Sequence, residues 1–311
     1  MSQSDLTEAT FLNSSLLEAA VRICGQVGAK AIFVHIDPIR DLDKDLEPLE
    51  RRPQELACFI STCSAERHST LVGRGCRAIQ LPDLPLGRLD TIKMGVLIAL
   101  SEGSITKQDT IVCLSGLASN GLIDTLMVFR LDQESEMFQT SEAPSAIDGT
   151  DPKVFETVLS MALELAAEGR EGKPLGALLV LGDHELVLQY SRQLVINPFH
   201  GYPEEQRNIL DPALRETIKE FSAIDGAFVI RGDGVIEAAG RHLSAAPRAE
   251  LPMGLGARHM AASGITEVSS ATSFAVSEST GTVSVFKDGK ILMQINKSQT
   301  SQSARRKKKS P

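Results

Sequence analysis

No stretch of the 311-residue chain stays apolar for the roughly 20 residues that crossing a bilayer requires. Residues 1–10 are polar and acidic, unlike a secretory leader. Both absences exclude a membrane protein as the expectation and place the chain in the cytoplasm. Cysteines paired two residues apart are missing too: Cys24, Cys58, Cys63, Cys76 and Cys113 all precede residue 120, mostly inside apolar strings. That spacing speaks against a zinc finger or ribbon and leads us to expect reduced, structural thiols. Excess positive charge is also lacking. The formal net charge is −8, and the last eleven residues hold five cations, Arg305, Arg306, Lys307, Lys308 and Lys309, with no acid. The remainder carries 27 basic against 40 acidic residues, a formal −13, which argues against nucleic acid as a partner. The glycine pattern of a DNA-binding helix-hairpin-helix is absent as well.

What is present suffices for two hydrophobic cores, with 42% hydrophobic and 23% charged residues over 311 positions. Residues 14–27 repeat apolar side chains at helical spacing, and residues 89–100 fill a second helix. Short apolar runs at 31–36, 56–60, 77–81, 110–114 and 126–131 read as strands. This alternation predicts an α/β domain over 1–132, a mostly parallel sheet with flanking helices. Within it no nucleophile is paired with a base. His35 follows a strand, His68 lies in a polar loop or helix start, and both read as solvated or hydrogen-bonded histidines. Ser115-Gly116 to Gly121 reads equally well as an anion cradle or as a strand-to-loop turn.

Residues 133–149 are acidic, serine-bearing and without periodicity, and read as a linker. Asp151-Pro152 then opens a helix running to Gly169, with a side-chain acceptor at the cap and proline at the first helical position. Strands are expected at 173–181, at 187–190 beside it, at 224–230, and at 235–239, 273–276, 282–287 and 290–294. Asn197-Pro198-Phe199 is a turn whose Phe199 plugs the core. Asp211-Pro212 repeats the cap-and-proline device before a helix over 213–221. The second domain, 150–297, is thus expected to hold a central mixed sheet flanked by helices. Residues 298–311 form a basic, disordered tail.

Three pieces of this second half carry chemistry. Gly256-Ala257-Arg258-His259-Met260-Ala261-Ala262 leads from a glycine into a helix, whose free N–H groups and positive dipole end make an anion site that Arg258 and His259 reinforce. Asp225-Gly226-Ala227 sets a carboxylate and a glycine at the start of a strand. Ser277-Glu278 ends another.

In this order the motifs resemble the diadenylate cyclases, whose DAC domain is marked by Asp-Gly-Ala, then Gly-Thr-Arg-His-Arg, then a Ser-Glu pair. The likeness runs from about 150 to 295 through Gly176-Ala177-Leu178-Leu179-Val180-Leu181-Gly182, Asn197-Pro198-Phe199 and Leu243, and an ordered set of spaced motifs is more specific than any one of them. The first half resembles the C-terminal domain of pyruvate kinase in the order of its elements and in the strand near Ile111 followed by Ser115-Gly116.

The resemblance implies condensation of two ATP into cyclic di-AMP and two pyrophosphates. It assigns catalysis to Asp225, Arg258 and His259, and nucleotide contacts to Gly226, Ala227, Leu243, Gly256, Ala257, Arg258, His259, Met260, Ala261, Ser277 and Glu278. It also gives a divalent cation, Mn2+ or Mg2+, to Asp225 and Glu278. A symmetric product further implies a homodimer or higher homo-oligomer, with DAC domains face to face. Two positions depart from the family pattern: Ala257 stands where threonine is usual, and Met260 where a second arginine is. They leave open a rival reading, a nucleotide-binding regulatory module with weak turnover or none.

Overall fold

The computed structural model describes residues 3–84, 86–106, 108–134, 149–169, 173–246 and 255–296. The expected linker at 133–149 falls almost wholly outside these residues, and the expected tail at 298–311 wholly so. The chain divides into two compact units, one within residues 1–134 and one within 135–299.

In the first unit helix α1 (Gln3–Val27) precedes strand β1 (Ala31–His35), two single turns α2 (Leu42–Asp45) and α3 (Glu47–Glu50), and strand β2 (Ala57–Thr62). Then come α4 (Ala65–Gly73), β3 (Arg77–Gln80), α5 (Arg88–Ser101), β4 (Thr110–Ser115) and β5 (Thr125–Arg130). The strands lie in the order β3-β2-β1-β4-β5, all parallel except β5, which runs antiparallel to β4. Strands covered on both faces need no polar alternation, and every residue of β1 is buried. On one face Ile32, Val34, Cys58 and Ile60 join Leu17, Ala20 and Cys24 of α1 in a single cluster. On the other, Phe33 stacks on Phe59 with ring centroids 4.7 Å apart. Gly95 of α5 lies against Phe33, so the helix packs close to the sheet. Residues 91–101 of that helix are all buried, as expected of a helix that is apolar nearly all round. His68 belongs to α4, whose start Ser64 caps by accepting the Arg67 N–H.

The second unit opens with α6 (Pro152–Glu168), where Asp151 accepts the Lys153 N–H as the cap-and-proline reading requires. Next are β6 (Ala177–Leu181), α7 (His184–Gln189), β7 (Ser191–Gln193), α8 (Leu214–Phe221), β8 (Ala227–Ile230) and β9 (Ile236–Leu243). Helix α9 (Ala257–Val268) and strands β10 (Thr272–Val276), β11 (Val283–Lys287) and β12 (Lys290–Ile295) complete it. The sheet order is β12-β11-β10-β6-β8-β9-β7, with β6 and β8 parallel and the other described pairs antiparallel. The period of two sorts its faces. Phe274 meets Phe155 of α6, whereas Leu178, Val180, Ala275 and Phe286 cluster with Ala262 and Ile265 of α9.

Three expectations need correction. Residues 187–190 are not a strand beside β6: Val187 and Leu188 lie on α7, and the neighbours of β6 are β8 and β10. A three-residue apolar run carries no usable period, and the strand near it is the polar β7, which starts at Ser191 directly after the expected span. The strand expected over 173–181 begins only at Ala177, and the one expected over 224–230 only at Ala227. Phe199 plugs the core as expected, against Phe221 and Phe228 at 5.7 and 6.2 Å.

Candidate active site

Strand β8 begins, β9 and β10 finish, and α9 presents its N-terminus at one end of the second sheet, around an open cavity of about 1270 Å3. Every site residue expected from the sequence lines it except Met260, which is 40% exposed and points elsewhere.

Asp225 reaches the cavity because α8 ends at Phe221, whose carbonyl accepts the Ile224 N–H before the chain turns into β8. Gly226 makes that turn at φ +112° against β9. A Cβ there would lie 2.6 Å from the Arg241 backbone nitrogen, a position only glycine tolerates. Arg258 is the second residue of α9, whose N-cap Gly256 contributes no side-chain cap and so leaves the helix end open to the cavity. Its guanidinium rests over Gly176, where a Cβ would come within 2.8 Å of Cζ.

Two carboxylates bracket that guanidinium. Arg258 Nη2 lies 3.9 Å from Asp225 Oδ1, and Nη1 lies 3.6 Å from Glu278 Oε2. The acid side chains are 91% and 63% exposed. Exposed pairs of this length stabilise a fold by about 0–1 kcal/mol each, so the trio contributes little to holding the unit together. It is poised toward solvent, and a ligand entering the cavity meets all three.

His259 is buried, with its ring edge on Phe286 at 6.0 Å. Burial first, and the Arg258 charge second, hold its imidazole below the ordinary 6.5. At neutral pH it is uncharged and donates a single N–H, so the positive charge of the Arg-His pair comes from Arg258 alone. Ser277 Oγ accepts the Thr280 N–H and shares a hydrogen with Ser279 Oγ, closing the loop from β10 to β11 that carries Glu278. Leu243 ends β9, buried and paired with Ser191, and with Leu178, Leu194 and Leu255 it gives the cavity an apolar wall.

Sequence reasoning missed Lys173, Leu194, Arg241, Leu255, Thr282, Gln294 and Asn296, all of which line the cavity. Arg241 serves the frame: its Nη2 donates to the carbonyls of Leu188 and Ser191, both at 2.9 Å, and Nε to Ser191 Oγ at 3.0 Å. These bonds lock the short edge strand β7 beside the apolar wall. A cation following the small apolar run Ala238-Ala239-Gly240 in this strand was the available signal.

An open helix N-terminus, two arginines, two carboxylates and apolar side chains around one cavity are features of a nucleotide-phosphate-binding α/β domain. Residues 164–291 match the family described as DAC, DisA bacterial checkpoint controller nucleotide-binding, and residues 12–140 match DacZ_P, a probable sensor domain. The diadenylate cyclase of Methanocaldococcus jannaschii is 36% identical over 206 residues, 66% of each chain. That of Haloferax volcanii is 38% identical over 216 residues, 67% of this chain and 75% of that one. The chain belongs to the diadenylate cyclase family, and it spans about two thirds of the length of the first of these relatives. A pyruvate kinase from Cryptosporidium parvum also aligns, at 16% identity over 39% of this chain and 23% of that one, with a TM-score of 0.32. That likeness is too slight to carry function. Among the described residues no helix is long and apolar enough to cross a membrane.

Proposed function

We propose that residues 150–297 bind one ATP and that two copies, face to face, condense their nucleotides into cyclic di-AMP. Each ribose 3′-oxygen forms a bond to the other nucleotide's α-phosphorus, and each bond from that phosphorus to pyrophosphate breaks in line. Such transfer asks a protein for positioning and charge stabilisation. The observation that carries this reading is the convergence of Asp225, Arg258 and Glu278 at the open end of α9.

In this reading Arg258 grips phosphate oxygens with its forked donors, and His259 adds one neutral N–H. Backbone N–H groups of 256–258 and the Ser277 hydroxyl complete the cradle. Gly226 and Ala227 let the nucleotide approach the strand, Ala261 lets the helix pack close, and Leu243 with its apolar neighbours receives the adenine. Asp225 sits at the attacking hydroxyl.

The cavity lining sets two acids against three cations, Lys173, Arg241 and Arg258, a formal +1 that the charge of a triphosphate exceeds, so further positive charge is needed. Two carboxylates are hard oxygen donors suited to Mg2+ or Mn2+, whose other positions phosphate oxygens and water fill. Asp225 and Glu278 would hold such an ion, which supplies charge neutralisation at the transferring phosphate. Of the family departures, Met260 lies off the cavity, and the hydroxyl that Ala257 lacks is worth about 1 kcal/mol. Neither removes a charge from the site, which favours turnover over a binding-only module.

The rim supports pairing. Beside the apolar wall Leu194, Val195 and Ile196 are 41%, 42% and 92% exposed, an apolar edge suited to a second copy. Residues 1–132 form a separate domain, and the protein works in the cytoplasm.

Incubating the purified chain with ATP and Mg2+ or Mn2+ tests the proposal. Cyclic di-AMP is expected, with a rate per molecule that rises with protein concentration until pairing saturates. ATP binding without cyclic product would leave a regulatory module instead. Gly176→Ala is a sharper probe of Arg258. The added methyl displaces the guanidinium while leaving the helix and strand intact, so product formation should fall roughly 10- to 100-fold at unchanged thermal stability. A variant as active as wild type would show that the present arginine position is not the working one.

A further inference from the structure

Strands β1 and β2 of the first unit run parallel in register, with Val34 opposite Ile60 and His35 opposite Ser61. In a parallel sheet the residues following neighbouring carboxyl ends enter one crevice. Here they are His35, Asp37 and Cys63. An imidazole nitrogen, a carboxylate oxygen and the sulfur all lie within 4.8 Å of one another, and His35 Nε2 is 3.5 Å from Asp37 Oδ2. Carboxylate clusters at a surface are common and mean little, but this group mixes three donor types and is sheltered. The His35 and Asp37 side chains are 7% and 14% exposed, and Cys63 is half-buried.

The imidazole and the carboxylate are each held by neighbours. His35 Nδ1 meets Ser61 Oγ at 3.3 Å, which turns Nε2 toward the carboxylate. Asp37 Oδ1 accepts the Thr62 hydroxyl, and Oδ2 accepts the Cys63 N–H at 2.9 Å. Arg67 Nη1 donates to the carbonyls of Ile36 and Ile39, at 3.0 and 2.8 Å, and pins the turn that carries Asp37. Partners that fix an imidazole and a carboxylate in this way are those surrounding preorganised metal sites.

We propose that His35, Asp37 and Cys63 bind one divalent transition-metal ion, with zinc the best match and the fourth position left to water or a small ligand. Sulfur and nitrogen donors select against Mg2+ and Ca2+, and three protein ligands with one open position is a familiar zinc arrangement. Binding forms a metal–sulfur bond and releases the Cys63 proton to solvent, with no change of oxidation state. Spacing along the sequence could not reveal the site, because its ligands come from two strand ends that only the fold brings together.

The full chain, stripped with a chelator, should be titrated with Co2+ and then Zn2+. One equivalent of Co2+ is expected to produce a thiolate-to-metal charge-transfer band that zinc abolishes. Cys63→Ser should lose the band, and Ser61→Ala, which keeps all three donors, should bind about 10- to 100-fold more weakly. No band, or one that persists in Cys63→Ser, would overturn the proposal. Should that variant fail to fold, alkylation of the wild-type chain decides. Zinc must slow modification of Cys63 while leaving Cys76 unaffected, and an unchanged rate at Cys63 would also overturn it.

Discussion

Asp225→Asn is expected to fold as the wild type does and to lose cyclic di-AMP formation by about 10²- to 10⁴-fold, the usual worth of a positioned acid–base group. The side chain is 91% exposed, and its ion pair with Arg258, the one it makes among the described residues, is long, so little of the fold's stability passes through it. The substitution is nearly isosteric and removes only the charge, and with it both the capacity to accept the 3′-hydroxyl proton and half of the carboxylate pair offered to a cation. Product measured by chromatography, alongside an unchanged thermal midpoint, checks the prediction. Equal activity in the two proteins would remove Asp225 from the chemistry, whereas lost activity with a lowered midpoint would assign it to the fold.

Gly226→Ala should act through the backbone next door, and more severely. At φ +112° an alanine is strained by about 1–3 kcal/mol. Its Cβ would also lie 2.6 Å from the Arg241 nitrogen and 2.8 Å from the Gly240 Cα, and strand backbone cannot move aside as a side-chain end can. Forcing it apart costs roughly another 1–3 kcal/mol. A total of about 2–6 kcal/mol is a large part of what a domain has, so the denaturation midpoint of the second unit should drop sharply and activity with it. Gly256→Ala is the control. That glycine lines the same cavity at an ordinary φ of −78°, and an added methyl would meet nothing within 4 Å, so its cost should stay under about 1 kcal/mol. Equal stabilities for the two variants would refute the argument from close approach.

Much of this could be read from the residues. The runs at Ala31–His35 and Thr110–Ser115 are apolar nearly throughout, which marks strands covered on both faces, and Asp151-Pro152 marks a helix start whatever follows it. The helix at Ala257–Val268 was legible for the same reason, a glycine giving way to small and polar residues at helical spacing. Residues 187–190 were misread because Val187 and Leu188 satisfy the core equally well on a turn of helix or on a strand, and only the positive φ of Asp183 and the chain direction decide between them. The site divides along the same line. Motif order singled out Asp225, Arg258 and Glu278, but that Arg258 stands between the two acids depends on register across four strands. Gln294 and Asn296 escaped notice because an alternating polar residue near a strand end is ordinarily just a solvated one.

The parallel pairing of β6 with β8 obliges the chain to leave one strand and come back in the same direction, and residues 182–226 are that return journey. A hairpin would have needed only a couple of residues. The detour carries the greasy lip at 194–196 and closes with the acid at 225, so on the proposed reading the part that would greet a second copy and the part that would attend to the substrate travel on one ribbon. A change in the length of its middle should then alter the greeting, while the glycine at its end holds the acid's turn.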